Sequence, residues 1–212
     1  MTVLLTDLVV ADPPESWREA GFAVDDDGTC RVGAVRIRLV GRERGTGIVA
    51  WELAGVPSET AELDGIATTA ATAGPAEPAT HPNGVTHLDH VVLLSPDLAR
   101  TVAALEAVGL DVRRERDGVL GGAAVRQVFF RLGEVILEVV GSPDAANEGA
   151  SSLWGLTHTV ADIDAAAALL GERTGRVKDA VQPGRRITTL RHRDLAMSVR
   201  TALISPHIRR QG

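Results

Sequence analysis

Short apolar stretches bounded by glycine or polar residues dominate the chain, a pattern typical of β-strands. The clearest examples are THLDHVVLL at 86–94 and VILEVV at 135–140, which carry His90 and Glu138 in settings that favour burial. An unpaired carboxylate in such a strand costs roughly 2 kcal/mol or more, so Glu138 must be paired, protonated or bound to a cation. A partly exposed edge position, or an ion pair with an arginine, would explain Glu138 as well as a functional site would.

The pattern repeats along the chain. RVGAVRIRLVG at 31–41 and RLGEVILEVVG at 131–141 share their first arginine and both glycines, and each predicts a strand, a glycine turn and a second strand. Upstream of them, EAGFAV at 19–24 resembles EAVGLDV at 106–112, again a helix end, a glycine and an apolar strand. A third unit begins with the strand LWGLTHTV at 153–160. The repeat is therefore a unit of structure.

Each unit contains one helix with recognisable ends. The predicted N-caps are Asp12, Ser95 and Asp162, and the predicted stops are Gly21, Gly109 and Gly171. Pro13 suits the first helical position after Asp12, and Pro96 follows Ser95 in the same way. The later strands of the third unit are predicted at 184–191 and 195–204. Each unit therefore has the order βαβββ.

One such unit cannot cover its own sheet, so two must pair. We predict an α+β fold in which paired βαβββ modules at 85–205 form a mixed sheet, with an extra N-terminal half-module at 1–65. The small, polar, proline-containing segment 66–84 is predicted to be a linker, and 206–212 a tail. The half-module packs either on the same chain or on a second subunit, which makes a homodimer one expected arrangement.

Composition excludes several classes of protein. The formal net charge is −6 and aromatic residues make up 3% of the 212 residues, which argues against a nucleic-acid surface. No apolar stretch is long enough to span a membrane, and MTVLLTDLVVADPP lacks the basic leader of a signal peptide, so a cytoplasmic location is expected. The single cysteine, Cys30, forms neither a disulfide framework nor a thiolate cluster and is expected to be structural or incidental.

A family resemblance follows from the order of these motifs. A strand with LDHVV at 88–92, a capped helix ending at Gly109 and a last strand ILEVVG at 136–141 resemble the vicinal oxygen chelate superfamily of glyoxalase I, bleomycin-resistance proteins and extradiol dioxygenases. The chain looks most similar to glyoxalase-like proteins of high-GC bacteria. The resemblance implies a cup-shaped sheet in which the first strand of a module supplies a histidine and the last strand a glutamate to a divalent metal.

Carried over residue by residue, this pattern makes His90 and Glu138 metal ligands and Glu138 also the catalytic residue. Imidazole and carboxylate suit Zn, Fe, Mn, Ni or Co, with open positions for two adjacent substrate oxygens. The ligand set is incomplete, however. Gly155 and Ser198 occupy the corresponding positions of the third unit, and Leu5 and Arg38 those of the first. Catalytic metals usually have three protein ligands.

Further candidates for substrate binding are His158, Trp154, Gln182 and Arg186. His158 lies three residues beyond Gly155 and points to the other face of a regular strand, unless a bulge turns it inward. The turn that carries Gln182 and Arg186 could clamp an anion, because arginine forks match carboxylates, or it could simply be solvated.

Three functions remain open from the sequence. The first is a metal-dependent lyase, isomerase or dioxygenase acting on a substrate with adjacent oxygens. The second is a metal-free protein that binds or sequesters a small molecule, as the bleomycin-resistance members do. In the third, the repeat serves only oligomerisation. The expected partner in the first two is a small-molecule ligand, with no nucleic acid and no membrane.

Overall fold

Two mixed β-sheets share one hydrophobic core in the computed structural model of the chain, which describes residues 2–120 and 122–207. The N-terminal sheet contains β1 (Leu4–Val10), β2 (Thr29–Val32), β3 (Val35–Leu39), β4 (Ile48–Ala54), β5 (Glu62–Leu63) and β6 (Ile66–Ala70). The C-terminal sheet contains β7 (Val85–Leu94), β8 (Arg114–Leu120), β9 (Ala123–Leu132), β10 (Val135–Gly141), β11 (Ser152–Val160), β12 (Lys178–Asp179), β13 (Arg186–Thr189) and β14 (Arg200–Ile204). The helices are α1 (Pro14–Glu19), α2 (Leu98–Ala107) and α3 (Ile163–Leu170).

The two sheets follow one topology. The C-terminal sheet has the order β12-β13-β14-β11-β7-β10-β9-β8, and the N-terminal sheet has the order β2-β3-β1-β4-β6-β5. In the first, β7 runs parallel to β10 and antiparallel to β11, which runs parallel to β14. In the second, β1 has the same relations to β3 and β4, and β4 runs parallel to β6. The predicted α+β fold of paired modules is confirmed, and the N-terminal region repeats it in reduced form.

The N-terminal sheet extends into the segment that the sequence predicts to be a linker. Its strand β6 occupies the first five residues of 66–84. The small residues of this strand hide it in the sequence, but the Trp51 indole Nε1 donates a 2.7 Å hydrogen bond to the buried Thr68 hydroxyl and anchors β6 beside β4. The irregular connection is therefore 71–84, and the predicted division into domains stays a prediction.

The helix starts agree only partly with the predicted caps. Asp162 caps α3 as predicted, since its carboxylate accepts hydrogen bonds from the first backbone N–H groups of the helix. In α2 the cap is Asp97 instead of Ser95; the Ser95 hydroxyl accepts a hydrogen bond from the backbone N–H of Asp97 and contacts Thr101. The sequence places the cap two residues too early because both residue types can cap a helix.

Asp12 does not cap α1, which begins at Pro14 without a side-chain cap. Its fully buried carboxylate instead accepts hydrogen bonds from the Trp17 indole Nε1 at 3.1 Å and from the backbone N–H of Ser198 at 2.7 Å. This contact holds 190–199 as a turn against the N-terminal region. The last strands are consequently shorter than the predicted 184–191 and 195–204.

The alternation within β7 separates two environments. Val91 and Leu93 are fully buried in the core, whereas His90, Val92 and Leu94 are half-buried on the opposite, open face. The core of the N-terminal sheet includes Cys30, and burial raises the pKa of its thiol to about 12.

The extra N-terminal unit packs within the same chain. The Asp64 carboxylate, in the turn between β5 and β6, accepts hydrogen bonds from Arg100 Nε and the Thr101 hydroxyl of α2, both at 2.5 Å, and from the Ser151 hydroxyl at 2.7 Å. Of the predicted tail, 208–212 lies outside the described residues. No helix in the described part of the chain is long and apolar enough to cross a membrane.

Candidate ligand-binding site

A cleft of about 730 Å³ opens on the face of the C-terminal sheet that carries His90. Its floor is formed by β7, β10, β9 and β8, and one wall by the segment 178–189, which contains β12 and β13. Polar and apolar side chains share the lining, among them His90, Gln127, Phe129, Ile136, Glu138 and Gln182.

His90 and Glu138 lie side by side in this cleft. The parallel register of β7 and β10 pairs His90 with Ile136 and Val92 with Glu138, so the two polar residues stand diagonally on one face. His90 Nε2 is 3.8 Å from Glu138 Oε2. The structure thus brings together the two residues that the sequence singles out, although their action as metal ligands stays a prediction.

Gln127 on β9 connects Glu138 to the outer strand. Its amide Nε2 donates a hydrogen bond to Glu138 Oε1, and its amide oxygen accepts one from Arg116 Nε at 2.7 Å. A glutamine offers one acceptor oxygen and one donor nitrogen, and a guanidinium only donates. The reverse orientation would place the amide NH₂ against the guanidinium, so the amide oxygen is held away from Glu138.

On the other side, His90 is held by its sequence neighbour. His90 Nδ1 is 2.8 Å from Asp89 Oδ1, and the second carboxylate oxygen of Asp89 forms an ion pair with Arg185 Nη2 at 2.6 Å. Burial would raise the pKa of Asp89, but the hydrogen bonds from His90 and Arg185 outweigh it and the pKa lies well below its usual value. An ionised Asp89 requires a proton on Nδ1 of His90, which directs Nε2 toward the cleft.

Arg185 is only 2% exposed, and an arginine is rarely buried this deeply unless its charge is paired, as it is here with Asp89. Besides Asp89, it donates to the backbone carbonyl of Ser205 at 2.7 Å, to the Thr159 hydroxyl at 3.2 Å and to His207 Nε2 at 3.1 Å. All of these contacts fix the guanidinium under the cleft. Arg185 is therefore a positioning residue for Asp89 and, through it, for His90.

The residues of the cleft do not complete a metal site. His90 and Glu138 supply two donors, and the third neighbour, Gln127, presents its amide nitrogen to Glu138 and not its oxygen. Within residues 2–120 and 122–207, no group of three or more His, Cys, Asp or Glu side chains could hold a metal ion. This donor set falls short of the three protein ligands usual in catalytic sites.

The second half of the sheet does not supply the missing ligands either. Alignment of the helix caps Asp97 and Asp162 makes Gly155 the counterpart of His90, and the register of β11 with β14 then makes Ala202 the counterpart of Glu138. The sequence predicted Ser198 as the counterpart of Glu138, which is wrong by four residues. Ser198 instead precedes β14 and donates a 2.6 Å hydrogen bond to Asp12.

In the N-terminal sheet, an ion-pair network occupies the corresponding place. The register of β1 with β3 makes Asp7 the counterpart of His90, where the sequence predicted Leu5, and keeps Arg38 as the counterpart of Glu138. Asp7 accepts two hydrogen bonds from Arg36, at 2.8 and 2.7 Å, and Arg38 pairs with Glu52. These charges neutralise one another, so the reduced sheet holds no second ligand set of this kind.

His158 and Trp154, predicted to bind substrate, lie away from the cleft. His158 follows a register shift in β11 but points into the core, with its ring centroid 5.1 Å from Phe22 and 6.2 Å from Trp17. Trp154 is 44% exposed and stacks against the Arg200 guanidinium at 4.8 Å. The bulge does not turn His158 toward the cleft, because an aromatic pocket formed by Phe22 and Trp17 is available on the core side.

The two residues predicted in the turn before β13 are separated. Gln182 lines the cleft, whereas Arg186 is exposed and forms an ion pair with Asp164 at 2.5 Å. The neighbouring Arg185 points inward instead. Adjacent residues of an extended chain point to opposite sides, so one of the two arginines had to be buried and the sequence did not show which.

Sequence reasoning did not identify Asp89, Gln127 or Arg116 as parts of the site. A signal was present for the first: Asp89 sits directly before His90 in LDHVV, an adjacency that allows a carboxylate to hold an imidazole. For the other two, the cross-strand pairing of β8 with β9 places Arg116 opposite Gln127. This register depends on the hairpin and cannot be read from either strand alone.

Comparison with known proteins agrees with the architecture. Residues 55–192 match the family model described as Glyoxalase/Bleomycin resistance protein/Dioxygenase superfamily. This match covers more than half of the chain, which therefore belongs to that superfamily. No curated protein matches the chain by sequence.

Solved structures resemble the whole chain and not only its C-terminal sheet. A fusion of a xylose isomerase-like TIM barrel with 4-hydroxyphenylpyruvate dioxygenase has a TM-score of 0.66 at 14% identity, over 99% of this chain and 50% of its own. A triple mutant of 4-hydroxymandelate synthase from Streptomyces coelicolor has a TM-score of 0.64 at 16% identity, over 100% and 94%. A halotolerant catechol dioxygenase has 0.57 at 12% identity, over 97% and 86%. Identities this low establish a shared fold and no more.

Proposed function

We propose that this member of the superfamily binds a small organic molecule in the cleft around His90, Gln127 and Glu138 without a resident metal. The orientation of the Gln127 amide carries the proposal. Its nitrogen donates to Glu138 and its oxygen accepts from Arg116, so the only oxygen of Gln127 is occupied by Arg116 and is turned away from a metal at Glu138. A metal between His90 Nε2 and Glu138 Oε2 would gain only these two protein ligands.

The same residues suit direct recognition of a ligand. Glu138 presents a carboxylate acceptor, and His90, held through Nδ1 by ionised Asp89, presents Nε2 to the cleft. Both side chains are half-buried, with 16% and 13% of their side-chain surface exposed, so a ligand hydrogen bond there is shielded from water. The site can therefore fix a polar group of the ligand against the apolar surface of Phe129 and Ile136.

A metal-dependent lyase, isomerase or dioxygenase is the second candidate function, favoured by the 3.8 Å approach of His90 to Glu138. It would require a further ligand from the substrate or solvent at Zn, Fe, Mn, Ni or Co. The cytoplasmic location and the homodimer expected from the sequence stay predictions.

The first test measures metal content. Chain purified without a histidine tag, incubated with Zn²⁺, Mn²⁺, Ni²⁺ or Co²⁺ and desalted, is expected to retain far less than one metal ion per chain by elemental analysis. His90→Ala and Glu138→Ala should retain the same small amount. Near-stoichiometric metal in the wild type that is lost in both variants would overturn the metal-free proposal in favour of the second candidate.

The second test maps binding. The Gln127 side-chain amide gives a resolvable signal in a ¹H–¹⁵N spectrum, assigned by its loss in Gln127→Ala. Benzamide, phenol and benzoate are titrated as probes, and at least one should shift this signal and the signals of Phe129. If none of them perturbs the cleft at millimolar concentration, small-molecule binding at this site is wrong.

A further inference from the structure

The cleft is cationic although the chain as a whole carries a formal net charge of −6. Its cationic lining residues are Arg113, Arg114, Arg116, Arg131 and Lys178, and its acidic ones are Glu138 and Asp179. Such a concentration of positive charge in an acidic protein raises the local concentration of anions.

The cations of the cleft are not neutralised by the protein. Some arginines elsewhere are paired, as Arg36 is with Asp7 at 2.7 Å and Arg126 with Asp117 at 2.7 Å. Over residues 2–120 and 122–207, no carboxylate comes within ion-pair distance of any of the cationic cleft residues. Their charge is therefore available to a ligand.

Arg116 is held in place for such a ligand. Its Nε donates to the Gln127 amide oxygen at 2.7 Å, and its guanidinium carbon lies 5.8 Å from the centroid of the Phe129 ring. These contacts order the side chain before binding and leave its two terminal nitrogens, which bond to none of the described residues, for a planar anion. Arg114, two residues away, stands on the same face of β8 at a distance of about 7 Å along the strand.

The cleft also offers apolar surface next to the cations. Phe129 and Ile136 lie on its floor, and Ile187 and Val181 lie on the opposite wall. Val181 is 75% exposed, an apolar side chain at the mouth of the cleft with no core contact to explain it. A ligand that fits both surfaces has an anionic end and an apolar body.

We infer that the ligand of the cleft is an organic anion, a carboxylate or phosphate ester joined to an apolar or aromatic body, whose charged end binds Arg116 and Arg114. This inference rests on the proposed function and narrows it. The anion lies toward β8, and the apolar body extends over Phe129 toward His90 and Glu138. Carboxylates and phosphate esters both carry an oxyanion, planar in one and tetrahedral in the other, that arginine guanidinium groups can bind through two hydrogen bonds.

The experiment compares one neutral probe with two anionic probes. Benzoate and benzamide have nearly the same shape, and phenyl phosphate carries the alternative anion; each is titrated into the full chain and followed through the Gln127 side-chain amide and by calorimetry. Benzoate or phenyl phosphate should bind roughly tenfold or more tightly than benzamide. The affinity of the anion should fall as sodium chloride is added, and that of benzamide should not.

Single substitutions test which arginines bind the anionic end of the probe. Arg116→Gln and Arg114→Gln should each lower the affinity for the preferred anion roughly tenfold and leave benzamide binding unchanged. The matched control is Arg126→Gln, which removes the same charge from β9 of the same hairpin but outside the cleft. It should change anion affinity less than about twofold. Unchanged spectra outside the cleft show that each variant is folded.

The possible outcomes distinguish failure of the anionic ligand class from failure of small-molecule binding at the cleft. If benzamide binds as tightly as both anions, or if Arg126→Gln weakens the anion as much as Arg116→Gln does, the ligand class is wrong while binding at the cleft stands. If none of the probes perturbs the cleft, both fail together. Preference for phenyl phosphate over benzoate, or the reverse, identifies which oxyanion the arginines suit.

Discussion

Both ring nitrogens of His158 are buried and lack a hydrogen-bond partner among the described residues. Its imidazole is fully buried and packs between Phe22 and Trp17. Burial first, and then the neighbouring histidines, His81 foremost, lower the pKa of His158 to about 3. The residue is therefore neutral in the native state above about pH 3, including the range near 6.5 in which an exposed histidine gains its proton.

This ionisation makes stability depend on pH. The folded pKa lies below the unfolded value of 6.5, so the unfolded chain binds the proton first and stability falls as pH drops from about 6.5 toward 3. His158 alone should lower the free energy of unfolding by about 2 kcal/mol between pH 7 and pH 5. Urea denaturation of the wild type and of His158→Phe at both pH values measures this, and the variant should lose most of the difference.

The control for altered packing is Phe22→Leu, which lies against the same ring. It should lower stability by about 1 kcal/mol at both pH values without changing the difference between them. A His158→Phe variant that retained the wild-type difference would show that another group is responsible.

Among the elements, α1 and α3 show two uses of an aspartate before a helix. Asp162 caps α3 in the ordinary way, through the first backbone N–H groups. Asp12 precedes α1 but contacts the Trp17 side chain, Ser198 and Arg42, and none of these contacts involves a backbone N–H group of the first helical turn. Both aspartates have the sequence pattern of a helix cap, because that pattern is local. The contact of Asp12 with Ser198 depends on a turn near the other end of the chain and cannot be read from it.

Substitution should distinguish the two aspartates. Asp162→Ala removes a cap and should cost about 1 kcal/mol of unfolding free energy. Asp12→Ala leaves buried donors of Trp17 and Ser198 unpaired and should cost about 3 kcal/mol. The measurement is the urea midpoint of each variant, with the exposed Asp26→Ala as a control that should stay within about 0.5 kcal/mol. Equal losses for Asp12→Ala and Asp162→Ala would contradict this assignment.

At the scale of the whole molecule, the two sheets depend on each other. The aromatic contacts of His158 with Trp17 and Phe22, and the hydrogen bonds from α2 and Ser151 to Asp64, join one continuous core. The turn between β2 and β3 adds a close contact, since a Cβ at Gly33 would lie 2.9 Å from His87 Cβ and the backbone there has φ +59°. Neither sheet covers its core without the other.

The chain should therefore unfold in one transition. In Trp154→Phe the remaining tryptophans, Trp17 and Trp51, both belong to the N-terminal unit, so fluorescence reports that unit while far-UV circular dichroism reports both. The two signals should give the same urea midpoint. A fluorescence midpoint clearly separate from the dichroism midpoint would show that the sheets unfold independently.

The sequence by itself determined the repeat, the βαβββ order of its modules and the prominence of His90 and Glu138. These follow from local patterns: strand alternation, glycine turns, and polar residues in apolar strands. Its predictions were less accurate where small residues form a strand, as in β6, and at the ends of β13 and β14. There, burial against a distant partner outweighs the weak local preference.

Only the tertiary structure decided what surrounds His90. Gln127 contacts Glu138 and Arg116 contacts Gln127 through the register of neighbouring strands. Arg185 reaches Asp89, which holds His90, from a segment almost a hundred residues away. Strand register also assigned Ala202, and not Ser198, to the position equivalent to Glu138, and the packing of β11 placed His158 in the core. The physical reason is that a cross-strand contact changes completely when one strand shifts by a single residue, while the sequence pattern of each strand stays the same.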